Sequence, residues 1–168
     1  MERLRSRIRG WTLFLIFGVA LSGATALPIP TELAAGVAVL GEDMSAHGLL
    51  PEAASSWLRT LREGIRDTST RAPFMFYGTD WLAFGHFMIA FAFVGALRDP
   101  VRNRWLYEFG MVACALVPLW ALVFGQIRGI PLWWRAIDSA FGVVGFVPVW
   151  LCHRWTGRLV QIEGRKVA

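Results

Sequence analysis

Four ionisable residues lie inside long apolar stretches of this chain, and a fifth lies at the edge of one. They are His86, Glu108, Arg135 and Asp138, with Asp80 at the edge. An ionisable side chain is costly to place in a bilayer, so it usually faces the protein interior or a water-filled pocket. Each of these residues is therefore a candidate for ligand binding, for proton transfer or for a structural polar contact.

The apolar stretches around these residues have the length that crosses a bilayer, about 20 residues with a range of about 17 to 25. Hydrophobic residues make up 55% of the 168-residue chain and charged residues 17%, which is too apolar for a soluble domain of this size. We therefore predict an all-α integral membrane protein, a four-helix transmembrane bundle that forms one domain over residues 1–168. The predicted spans are residues 11–27, 81–97, 105–124 and 132–152.

Three Arg-rich segments flank these spans, at residues 3–9, 98–104 and 154–166. With four spans, all three segments lie on the same side of the membrane. Because Arg and Lys are enriched on cytoplasmic flanks, the pattern predicts a plasma (inner) membrane protein with both termini in the cytoplasm. The net charge is +5, but the chain has no basic groove or recognition motif, which argues against nucleic-acid binding.

The first apolar stretch has a second interpretation. Its Arg-rich start, its short apolar core and the sequence Ala24-Thr25-Ala26 are also typical of a signal peptide with a cleavage site. Cleavage would leave three spans in the same orientation and an N-terminus outside the cytoplasm. We favour a retained span, because the apolar stretch continues to Leu27 and is then long enough to cross.

Residues 28–79 are predicted to form a non-cytoplasmic, outer-face loop. Within the loop, residues 51–66 alternate at helical spacing between an apolar face and a charged face. The apolar residues are Trp57, Leu58, Leu61 and Ile65, and the charged residues are Arg59, Arg62, Glu63 and Arg66. The pattern predicts an amphipathic helix along the membrane interface. It is either a lid or partner-docking helix, or a helix packed on its own bundle, which we favour.

Three of the ionisable residues are predicted at similar depths near the outer face. At 1.5 Å per residue, His86 lies about 7 to 8 Å below the outer end of its span, Asp138 about 9 Å and Arg135 about 4 to 5 Å. Arg135 and Asp138 are three residues apart, so they can pair on one helix face. With Asp80 just above, these residues are our candidates for a ligand-binding or proton-linked site. The alternative is a polar clamp that ties two helices together.

Glu108 belongs to the cytoplasmic end of the third span. Because Arg98, Arg104 and Arg154 lie near the same level, we expect Glu108 to form a structural ion pair with one of them. Cys114 and Cys152 are not in a CxxC motif, and we expect both to be small buried side chains.

No catalytic motif, metal-ligand set or cofactor-binding pattern is recognisable in the sequence. A haem held by His86 and His153 is improbable, because these residues lie at opposite ends of their spans and His47 lies in the outer loop. We therefore predict no catalytic residues, no metal and no cofactor.

The leading functional hypothesis is a non-catalytic subunit or accessory protein of a larger membrane assembly. Its partners would be the lipid bilayer and other membrane subunits or further copies of the chain. One alternative is a small carrier or proton-linked protein that uses His86 and Asp138. Another is an intramembrane enzyme acting on a lipid headgroup at the outer face, with Arg135 as the clamp for an anionic group.

Overall fold

The computed structural model describes residues 1–29, 31 and 51–167, with side chains through residue 162. The intervening part of the predicted loop, with His47, lies outside the described residues. Most of the described residues are helical, and none of them forms a strand. The elements are α1 (Glu2–Thr25), α2 (Glu52–Arg71), a 3₁₀ turn (Pro73–Phe76), α3 (Tyr77–Arg98), α4 (Arg104–Ile127) and α5 (Leu132–Val167).

Four of these helices are long and apolar enough to cross a membrane, namely α1, α3, α4 and α5. The predicted all-α class and the four membrane-length helices are thus confirmed. Helices α3, α4 and α5 extend beyond their predicted spans, because hydropathy marks only their apolar part while the backbone hydrogen bonds continue into the Arg-rich flanks. Helix α1 begins nine residues before its predicted span but ends at Thr25, two residues before the predicted end at Leu27. The 36 residues of α5 measure about 54 Å, against a hydrocarbon core of about 30 Å.

The chain contains two compact units. The first comprises Met1–Val19 and Met88–Ala168, and the second comprises Ala20–Phe87. Helices α1 and α3 contribute residues to both units, whereas α4 and α5 belong wholly to the first. We describe each unit by itself, and the single domain over residues 1–168 stays a prediction.

The second unit contains α2, which begins at Glu52 and ends at Arg71, five residues beyond the predicted end at residue 66. One side of α2 is less exposed than the other. The half-buried side carries Trp57, Leu58, Leu61 and Ile65, whereas Arg59, Glu63 and Arg66 are exposed. Arg62 lies with the half-buried side, where its aliphatic stem can cover apolar surface.

The core of the first unit lies where the beginnings of α1 and α4 meet the end of α3 and the later part of α5. Its buried residues include Ile8, Ala96, Leu106 and Leu159, one from each of these segments. The Arg-rich segments at residues 3–9, 98–104 and 154–166 directly adjoin these residues. The packing therefore brings all three segments to one end of the first unit.

Helices α4 and α5 form a hairpin whose close packing centres on Gly142. Pro118 has no N–H, so the carbonyl of Cys114 one turn earlier lacks its usual helical donor. That carbonyl faces Gly142: a Cβ at position 142 would lie 2.5 Å from the Cys114 oxygen and 2.9 Å from Pro118 Cδ. Farther along α5, a Cβ at Gly145 would lie 3.2 Å from Cys114 Sγ. Small residues on α5 thus let the two helices approach closely.

Replacing Gly142→Ala should force α4 and α5 apart, because the new methyl group would overlap a main-chain oxygen that cannot rotate away. We expect a loss of about 1 to 3 kcal/mol of stability, the usual cost of overpacking. The measurement is denaturant unfolding of the purified protein in micelles. Gly18→Ala on α1 is the matched control, since a Cβ there meets no heavy atom within 4 Å. Equal stability of the two variants would contradict the packing described.

Candidate functional site

A groove of about 500 Å³ runs along one face of α4 and is bordered by α5. Its α4 residues recur at helical spacing, so they share one face of that helix. Asp138 on α5 is half-buried and is the one ionisable residue of the lining. The lining residues are Ala113, Leu116, Val117, Trp120, Ala121 and Asp138.

Arg135 lies one turn before Asp138 on α5 but does not pair with it. Its Nη1 donates a hydrogen bond to the main-chain oxygen of Leu122, at 3.2 Å. Its aliphatic stem lies against Gly125, where any side chain would collide with Arg135 Cγ and Cδ. Its Nε is buried and has no acceptor among the described residues. Asp138 likewise has neither a hydrogen bond nor an ion pair with any residue that the structure describes.

His86 lies in the second unit, on α3, where its ring makes one polar contact and its Cβ lies close to a neighbouring helix. Nδ1 lies 2.8 Å from the carbonyl oxygen of Leu82. A carbonyl only accepts, so Nδ1 carries the hydrogen and, in the neutral ring, Nε2 presents a lone pair. The other contact is with α1, where a Cβ at Gly23 would lie 2.8 Å from His86 Cβ and 3.0 Å from the Ala83 oxygen.

Asp80 is exposed in the first turn of α3. A carboxylate at this position interacts favourably with the positive end of the helix dipole. Asp80 and His86 belong to the second unit, whereas Arg135 and Asp138 belong to the first. A shared site formed by these four residues stays a prediction.

Glu108 lies beside Arg104 and His153 at the Arg-rich end of the first unit. Arg104 Nε is 3.8 Å from Glu108 Oε1 and 3.0 Å from His153 Nε2, and His153 Nε2 is 3.1 Å from Glu108 Oε1. His153 Nε2 cannot accept from Arg104 and donate to Glu108 at the same time. For a given position of the proton on the His153 ring, only one of these two contacts can therefore be a hydrogen bond.

The other two arginines considered for Glu108 have different surroundings. Arg154 lies over the Trp150 ring, 5.3 Å from its centroid, in a cation–π contact. Arg98 is exposed in the last turn of α3, where a cation interacts favourably with the negative end of the helix dipole. His153, which was not among the predicted partners of Glu108, lies closer to it than Arg104 does, at 3.1 Å against 3.8 Å.

A fully buried polar contact joins α1, α4 and α5 within the first unit. The Thr12 hydroxyl donates to the Ile8 carbonyl at 2.8 Å, and the Tyr107 hydroxyl lies 2.7 Å from Thr12 Oγ1. Since the single hydrogen of Thr12 is used on Ile8, Tyr107 must be the donor to Thr12. Cys152 Sγ lies 3.9 Å from both Thr12 Oγ1 and the Ile8 oxygen. Cys152 is fully buried, whereas Cys114 is half-buried, and both are free thiols.

This contact is not among those predicted from the sequence, although the sequence contains a signal for it. Thr12, Tyr107 and Cys152 each lie two or three residues from an arginine that marks the same end of the helices, namely Arg9, Arg104 and Arg154. Polar side chains at matched distances from a common boundary lie at matched depths and can meet. Hydropathy alone overlooks them, because single hydroxyls barely change the mean over a span.

Within the described part of the chain, no group of three or more His, Cys, Asp or Glu residues is placed to hold a metal ion. In comparisons with known proteins, no family model, no curated protein and no solved structure matches this chain.

Thr12→Val should destabilise the protein more than Tyr107→Phe. The first change leaves the buried Tyr107 hydroxyl without an acceptor, at a cost of about 1 to 3 kcal/mol, while the second removes one hydrogen bond, at about 0.5 to 1.5 kcal/mol. The double variant should lose less stability than the sum of the two, as measured by unfolding in micelles. Thr60→Val is the control, because Thr60 makes the same bond to a carbonyl four residues earlier while exposed. Strict additivity would contradict the contact.

Proposed function

We propose that this chain is a four-span protein of the plasma (inner) membrane, with both termini in the cytoplasm and α2 lying along the outer interface. Two observations support this proposal. Four helices have the length and composition of membrane spans. The packing of Ile8, Ala96 and Leu159 in one core brings the three Arg-rich segments to one end, as a common cytoplasmic face requires.

We further propose that its function is that of a non-catalytic subunit or accessory protein of a larger membrane assembly. The observation that carries this proposal is the open groove beside α4 with Asp138 in its lining. Polar groups within a membrane need partners, and those of transmembrane helices are commonly found on neighbouring helices. Asp138 has no such partner among the residues described in this chain, so a second protein is the natural source.

Exposed apolar residues alone do not carry this argument. Phe17, Phe91, Trp120 and Phe141 are each between 66% and 71% exposed, one on each of the four long helices. Lipid tails cover such side chains as well as a protein does, because they are equally apolar. Lipid tails cannot, however, donate a hydrogen bond to a carboxylate. Asp138 is therefore what distinguishes an assembly from a chain surrounded by lipid.

The proton-linked carrier is a second candidate. The geometry of His86 favours it: the bond from Nδ1 to Leu82 fixes the ring and leaves Nε2 available to accept a proton. The intramembrane enzyme has less support. Arg135, its proposed headgroup clamp, already donates to Leu122 and packs against Gly125.

If the chain is a subunit, this 18.8 kDa protein should occur at a fixed stoichiometry with at least one other protein. The measurement is native mass spectrometry after gentle extraction into nanodiscs from the native membrane, with a harsh detergent that separates subunits as the control. A folded chain that carries only lipid in every preparation would contradict the subunit function.

The proposed orientation predicts opposite labelling of two single-cysteine variants by a membrane-impermeant maleimide. Gly64→Cys, on α2, should react in sealed right-side-out vesicles, whereas Ser6→Cys, near the N-terminus, should react only after permeabilisation. Both positions are exposed, so protein burial does not explain a difference. The unmodified chain gives the background from Cys114 and Cys152. Labelling of Ser6→Cys before permeabilisation would show that the N-terminus lies outside, which contradicts the proposed orientation. In a separate measurement, an intact mass lacking residues 1–26 would show a cleaved signal peptide.

A further inference from the structure

We infer that the groove beside α4 receives a transmembrane helix of a partner protein, and that a basic side chain of this helix pairs with Asp138. This inference rests on the proposed function as a membrane subunit. It adds the surface through which the chain assembles and the chemistry that its partner must carry.

The shape of the groove suits a helix. Its α4 face runs from Ala113 to Ala121, which is about 12 Å or two turns. Alanines lie at both ends of this face, while Leu116 and Trp120, 51% and 66% exposed, are its large side chains. Small residues flanked by larger ones allow a second helix to approach and interdigitate. A helix lying here would bury both large side chains.

The charge of the groove determines the chemistry of the occupant. Asp138 is a half-buried carboxylate among apolar residues and is left without a partner in the described part of the chain. The cation nearest to it on α5, Arg135, is held by Leu122 and Gly125. A carboxylate in this setting needs hydrogen-bond donors or a positive charge. Among the side chains of a helix, Lys, Arg and protonated His supply both, so the occupant that we infer carries one of them.

Two other occupants fit less well. A second copy that placed the same groove face to face would bring Asp138 against Asp138, so like charges would oppose this symmetric dimer. An aminophospholipid carries its ammonium group outside its phosphate, toward water. Asp138 lies about 9 Å along α5 from Leu132, which is too deep for that ammonium group. A helix, in contrast, can present a basic side chain at any depth.

The test uses the full chain in nanodiscs and synthetic helices as probes. The probe is a helix of about 22 leucine and alanine residues with one lysine about six residues from its outer end. Matched probes carry leucine or glutamate in place of the lysine. Binding is followed by energy transfer from a dye on Gln126→Cys, which lies exposed at the end of α4. The lysine probe should bind about three- to thirtyfold more tightly than the leucine probe.

Variants of the groove then locate the contact. Asp138→Asn should remove the preference for lysine, whereas Asp138→Glu should retain it. Trp120→Ala should weaken binding of the lysine probe. Leu119→Ala should leave binding unchanged, because Leu119 is similarly exposed, at 58%, but lies outside the groove. The probe series and the Trp120 and Leu119 pair do not depend on how well the Asp138 variants fold.

Equal binding of the three probes to the wild-type chain would overturn the inference. So would an aminophospholipid that mass spectrometry finds on the wild-type chain and not on Asp138→Asn, with no difference among the probes.

The subunit function is tested separately in native membranes. If the assembly keeps its stoichiometry in both Asp138→Asn and Trp120→Ala, the inference is wrong and the subunit function stands. If wild type yields no assembly although the lysine probe is preferred, the subunit function fails while the groove's selectivity stands.

Discussion

The close packing of α4 against α5 at Gly142 constrains where Arg135, Asp138 and His153 lie along this hairpin. Pro118 leaves the Cys114 carbonyl without its helical donor, and only a glycine lets α5 pass so near to that carbonyl. Once Gly142 fixes the register, Asp138 must border the groove and Arg135 must fall on Gly125. In the other direction along α5, the same register places His153 beside Glu108. One steric constraint thus determines three separate electrostatic environments.

Two polar clusters of the first unit, one neutral and one ionisable, differ in how far they are buried. Thr12 and Tyr107 are fully buried and satisfy each other, so their contact fixes α1 against α4 without any charge in the core. Arg104, Glu108 and His153 remain partly exposed at the Arg-rich end, where water or headgroups can share their charge. An exposed ion pair contributes little to stability, whereas a buried hydroxyl without a partner is costly. The stability of this end therefore depends more on Thr12 than on Glu108.

The sequence predicted the helices well and the polar contacts only in part, for a physical reason. Hydropathy determines which segments can cross a membrane, and the Arg segments indicate which helix ends belong together. The rotation of each helix is harder to predict, because a span that is apolar all round does not reveal its inner face. Spacing placed Arg135 and Asp138 on one side of α5, yet Arg135 turns toward Leu122. The direction of the Arg135 side chain depends on the space above Gly125 on α4, which the sequence of α5 alone does not reveal.

The contrast between Arg135 and Asp138 is the strongest structural argument for a partner. A chain that needed only its own stability could pair these residues, since they are three apart on one helix. Instead Gly125 provides room for the Arg135 stem, and the Leu122 carbonyl accepts from its guanidinium. The guanidinium is thus turned toward α4, where Nη1 has an acceptor, while the carboxylate remains at the open groove. This arrangement leaves the Asp138 carboxyl group without a direct partner among the described residues, at a surface where lipid tails offer no hydrogen bond. A basic helix from another protein would balance that charge and cover Leu116 and Trp120 in the same contact.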